Sequence, residues 1–120
     1  MTIGLVGLWA GRVTASLLFL FWGAFFVEHT SEWFLRGDGR FPPAWVAVQQ
    51  GFHFLMLVGL AAMLKWERAG AVVLSLSTCA FFGFLGMRRF PWIALLNLIP
   101  LVCFSVYWLA QRATSRAVAR

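Results

Sequence analysis

The chain is predicted to be all-α, an integral membrane four-helix bundle built from two antiparallel helical hairpins. Three observations carry this. Hydrophobic residues make up 62% of the 120 positions and charged residues 12%, far from the even mixture of a water-soluble domain. Four apolar stretches, Val13–Val27, Ala44–Leu64, Ala69–Met87 and Pro91–Ala110, take up most of the chain. A crossing of the hydrocarbon needs ~20 such residues, and a helix satisfies its own backbone there. The basic residues, finally, cluster at or beyond the ends of these stretches, where they reach the headgroups.

The first stretch, which follows Arg12, is too short to cross comfortably, so its helix is expected to continue through Glu28, His29, Glu32 and Trp33 to Leu35. Met1 to Gly11 is expected to lie in the interface or to extend the same helix, since no basic region precedes Ile3 and no small-residue cleavage pattern follows Val27. Arg36-Gly37-Asp38-Gly39-Arg40 reads as a turn, and Pro42-Pro43 suits a helix start.

The second span is expected over residues 44–64, closed by the basic and aromatic Lys65-Trp66-Glu67-Arg68. The third, over 69–87, carries Ser75, Cys79 and Gly83 at i, i+4, i+8, a small-residue face suited to close helix approach. Arg88-Arg89-Phe90-Pro91-Trp92 turns the chain into the fourth span, 91–110. Pro100 should free the carbonyl of Leu96 and kink that helix, with Asn97 beside it offering a local or interhelical hydrogen bond. Together the four spans, 13–35, 44–64, 69–87 and 91–110, form a single transmembrane domain.

With an even number of spans both chain ends share a side. Arg12, Lys65, Arg68, Arg112, Arg116 and Arg120 then face one side, and Arg36, Arg40, Arg88 and Arg89 the other. The excess favours cytoplasmic termini, in a bacterial inner membrane. The net charge of +6 forms no stripe interleaved with aromatics, so nucleic acid is not expected as a partner; the lipid bilayer is.

One polar constellation stands out. Glu28, His29 and Glu32 project from neighbouring parts of one helical surface, as do Gln49, Gln50 and His53 on the next helix. A hairpin turning near Gly39 is expected to match Glu28 with His53, His29 with Gln50, and Glu32 with Gln49. Such groups avoid lipid, and three readings remain open. The set is an interhelical hydrogen-bond network counter-charged by Arg36, Arg40, Arg88 or Arg89; or His29 or His53 is an axial ligand to haem or a pigment; or His29, Glu32 and His53, with Glu28, hold a divalent metal or relay protons. His29-x-x-Glu32 reverses the Glu-x-x-His order of di-iron bundles. Phosphate loops, nucleophile elbows and paired-cysteine motifs are absent from the sequence.

The Arg before span one, the closing Lys65-Trp66-Glu67-Arg68 with Gly70 just after, and Pro91 and Pro100 in span four resemble a family of small uncharacterised four-span bacterial membrane proteins. The likeness runs from Arg12 to Ala110 and brings no assigned activity or site residues. The expected function is that of a non-enzymatic accessory or scaffold subunit of a larger membrane assembly, with other membrane subunits or a homo-oligomer as partners. A small proton or metal transporter and a haem- or pigment-binding redox subunit are the alternatives.

Overall fold

In the computed structural model, residues 2–37, 39–86 and 91–118 are described. The chain is all-helical. The helices are α1 (Thr2–Thr30, prolonged by a wide turn over Ser31–Leu35), α2 (Ala44–Ala62), α3 (Glu67–Leu85), α4 (Pro91–Leu96) and α5 (Ile99–Val118). They make four rods long and apolar enough to cross a membrane: Thr2–Leu35, Ala44–Ala62, Glu67–Leu85 and Pro91–Val118.

The first rod starts well before Arg12. Gly4, Gly7 and Gly11 are buried on its α5 side, where a methyl on Gly11 would stand 2.9 Å from the Phe104 ring and one on Gly7 2.9 Å from the Cys103 carbonyl. The missing side chains let two backbones approach, so the N-terminal segment extends the first helix and packs along α5. Arg12 meets Glu67 at the start of α3, N–O 3.8 Å, and lies over the Trp9 ring.

At its far end α1 loosens into a π-helical turn, closed by the Arg36 amide donating to the Ser31 carbonyl at 2.9 Å. The extra residue in that turn shifts everything beyond Thr30 around the helix axis. Gly39 adopts φ 72° in the connection to α2, a backbone region a side chain resists. Asp38, and the Met87, Arg88, Arg89 and Phe90 expected to end span three and turn the chain, lie outside the described residues.

The closest packing is of α2 on α3 and of α1 on α5, with α1 against α2 next. The expected pairing of the third span with the fourth is not among these principal contacts. Glycine position explains the choice. Gly59 abuts Leu74, where an added methyl would stand 2.6 Å from the Leu74 amide nitrogen, and Gly70 fits against Met63. The Ser75-Cys79-Gly83 face, by contrast, meets no helix closely: Gly83 has open space around it, Cys79 is exposed, and the Ser75 hydroxyl donates to its own Ala71 carbonyl at 2.7 Å. Spacing in one helix identifies a small-residue face without saying whether another helix covers it.

The last rod is interrupted. The amides of Asn97 and Leu98 turn to carbonyls three residues back, Ala94 and Leu95, because Pro100 has no amide proton for Leu96 and its ring crowds that carbonyl. Asn97 and Pro100 are both buried at the break. The core runs from Ala15 and Trp22 through Met56, Leu60, Met63 and Leu74 to Phe81, Phe82 and Phe104.

Candidate functional site

Two polar clusters hold the interior, and they share Trp22. An indole in the middle of an apolar stretch carries an N–H that hydrocarbon cannot satisfy. Trp22 donates it to Asn97 Oδ1 at 2.7 Å. The Asn97 amide in turn donates to Met56 Sδ at 3.0 Å and Thr78 Oγ1 at 3.4 Å. Asn97 is 0% exposed, and its contacts join α1, α2 and α3 at the break in the last rod. The sequence reading singled out Asn97 for the kink but not Trp22, Met56 or Thr78; the unpaired indole was the signal that could have found them.

The second cluster is at the α1–α2 junction. His53, 3% exposed, bonds through Nε2 to the Trp22 carbonyl at 3.1 Å. A carbonyl only accepts, so Nε2 carries the proton and Nδ1 the lone pair of the neutral ring. Rings of Trp22, Phe26 and Phe81 stand around the imidazole, centroids 5.6, 5.4 and 5.1 Å away. Gln50 donates to the Phe26 carbonyl at 3.2 Å and to Thr30 Oγ1 at 2.7 Å. His29 donates from Nδ1 to the Phe25 carbonyl at 2.8 Å, so that Nε2 is the acceptor of the neutral ring.

These groups surround a chamber of about 410 Å³ walled by α1, α2, α3 and α4. His29, Gln49, Gln50 and His53 all line it, together with Trp22, Trp33, Trp45 and Phe81. Trp33 is 40% and Trp45 58% exposed, in keeping with the outer rim, and the buried His53 lies deeper. Its described walls carry imidazole and amide groups but no formally charged side chain.

The two carboxylates do not join this chamber. His53 lies level with Trp22 rather than Glu28, and the partners of Gln50 are Phe26 and Thr30 rather than His29, so the expected cross-helix matches are replaced by others. Glu28 is exposed and borders a separate apolar groove with Ser31 and Arg36. Glu32, inside the π-helical turn, is exposed as well. Gln50 meets Thr30, one residue past His29, at the depth a turn near Gly39 predicts, whereas His53 reaches a carbonyl nearer the start of α1; Glu32 lies in the widened turn and Glu28 is exposed. Among the described residues, no group of three or more His, Cys, Asp or Glu is gathered to hold a metal ion, so His29, Glu32 and His53 do not form one ligand set. Arg36 and Arg40 are exposed, and Arg88 and Arg89 lie outside the described residues.

Comparison with protein-family models, with curated proteins and with solved structures gives no match for this chain.

Proposed function

We propose that this chain is a non-enzymatic integral membrane protein, a four-helix bundle of antiparallel helices, acting as an accessory or scaffold subunit of a larger membrane assembly. Residue numbers fall along one helix as they rise along its neighbour, as in the contacts Gly4–Ala110 and Gly11–Phe104, which supports the antiparallel arrangement. The placement of basic residues supports a bacterial inner membrane with both ends cytoplasmic.

The observation that carries the subunit reading is a mismatch of lengths. Rods α2 and α3 have 19 residues each and Thr2–Leu35 has 34, or ~28 Å against ~51 Å at 1.5 Å per residue. A hydrocarbon layer is ~30 Å thick. The molecule extends 67 Å along its longest axis. Anchored at Lys65-Trp66-Glu67-Arg68, such a layer ends near the Arg12–Glu67 contact. The α1–α5 pair continues past it with Ile3, Val6 and Trp9 exposed. A second subunit, of another kind or a further copy, covers those side chains.

Mass measurement of the protein extracted from its native membrane in mild detergent tests this. A complex of defined mass with a further subunit or copy is expected, and Val6→Arg should release it. A lone monomer under every mild condition rejects the reading.

A further inference from the structure

The chamber at the α1–α2 junction has a chemistry that selects its ligand. Its two imidazoles are each tied down at one nitrogen by a backbone carbonyl, His53 through Nε2 and His29 through Nδ1. That fixes the tautomer and orients the remaining lone pair. Among the described residues the one sealed side-chain nitrogen or oxygen without a partner is Arg12 Nε. His53 Nδ1 has no hydrogen-bond partner among the described residues, and His53 lines the chamber. The chamber thus offers two acceptors. His29 lies seven residues beyond Trp22, the level of His53, or ~10 Å along the axis, so the acceptors are spaced along its length.

The geometry points to a binding site for a neutral aromatic ring with hydroxyl groups at opposite ends and an apolar chain, the chemistry of a membrane-soluble para-quinol. The hydroxyls donate to His53 Nδ1 and His29 Nε2, and the ring stacks among Trp22 and Phe81. The amide of Gln49, which makes no side-chain hydrogen bond among the described residues, serves either polarity. An oxidised quinone, which only accepts, finds lone pairs where it needs donors. The absence of formal charge from the described walls suits a neutral ligand. Trp33 and Trp45 at the rim mark the headgroup level, so the ring enters from the bilayer and its tail remains in lipid. A metal macrocycle fits less well: it needs clear space all round the ligating nitrogen, and three rings stand within 5.6 Å of the His53 centroid.

The test is saturation binding of radiolabelled 2-decyl-1,4-dihydroxybenzene and of its dimethyl ether to the full chain in lipid nanodiscs, against nanodiscs without protein. The two probes share ring and tail and differ in the ability to donate. One saturable site per chain is expected for the quinol, with at least tenfold weaker binding of the ether. His29→Phe, at an exposed position and checked for an unchanged thermal transition, should weaken the quinol about tenfold while leaving the ether unaffected. Equal affinity for the two probes, absence of a saturable site, or a six-coordinate low-spin spectrum on adding haemin would each overturn the assignment. None of these outcomes bears on the mass of the extracted assembly, so the two proposals stand or fall separately.

Discussion

Trp22 Nε1 lies 2.7 Å from Asn97 Oδ1, across 75 positions of sequence, and this bond ties the middle of α1 to the break between α4 and α5. Loss of either partner strands the other. Asn97→Leu leaves the indole N–H buried and unpaired, which costs about 1–3 kcal/mol and should lower the thermal transition in detergent. Trp22→Phe in the same chain removes the orphan. A double-mutant cycle should therefore show positive coupling of about 0.6 kcal/mol, the mean for interhelical bonds in a bilayer, and at most ~1.7 kcal/mol; additive losses would show that the bond contributes nothing.

Glycines of one helix should behave oppositely in two settings. Gly59→Ala drives a methyl to 2.6 Å from the Leu74 backbone, and no rotamer relieves a clash with backbone. A loss of about 1–3 kcal/mol is expected, as in other overpacked cores. Gly51→Ala, on the same helix but with nothing within 4 Å, should be neutral or gain up to ~1 kcal/mol from helix propensity. Parallel thermal melts of the two variants decide the matter.

The Arg12–Glu67 pair, at 3.8 Å and partly exposed, should contribute no more than about 1 kcal/mol. Arg12→Glu sets two carboxylates against each other and should lower the transition, and adding Glu67→Arg should restore it. Failure of the swap to rescue would show that Arg12 acts through its stem or through Trp9.

His53 and the carboxylates should separate cleanly. His53→Ala removes one of the α1–α2 hydrogen bonds and opens space among Trp22, Phe26 and Phe81, so stability should drop by about 1–3 kcal/mol. Glu28→Gln and Glu32→Gln, at exposed positions, should leave the transition where it is. A large effect of either glutamate would show that it has a buried partner.

The four apolar rods were legible in the sequence, since a continuous apolar run bounded by Arg, Lys and Trp has few other uses, but the first starts at Thr2 rather than Val13 and the last runs past Ala110 to Val118. Pairing was not. Gly4, Gly7, Gly11, Gly59 and Gly70 differ from Gly23, Gly51 and Gly83 only in what faces them, and that depends on a partner helix far away in sequence. Half of the polar site behaved likewise. Gln49, Gln50, His29 and His53 were visible as residues hydrocarbon would reject, and they border one chamber. Glu28 and Glu32 carried the same signal yet lie outside it: Glu32 sits in a π-helical turn, a backbone irregularity that side-chain spacing does not announce, and Glu28 faces a different groove of α1. Trp22 was hidden for a different reason: an indole reads as apolar until its single donor is counted.

Helix α1 packs along α5, which the ribosome makes after three intervening helices. While the ribosome is still adding α2 to α4, the grooves at Gly7 and Gly11 have nothing from their own chain to fill them. On the membrane reading proposed above, nascent protein dwells in the bilayer with that seam open, and whatever shields it during synthesis has to let go once Phe104 arrives. Assembly is complete only when α5 docks, and α1 waits for it through the synthesis of three helices.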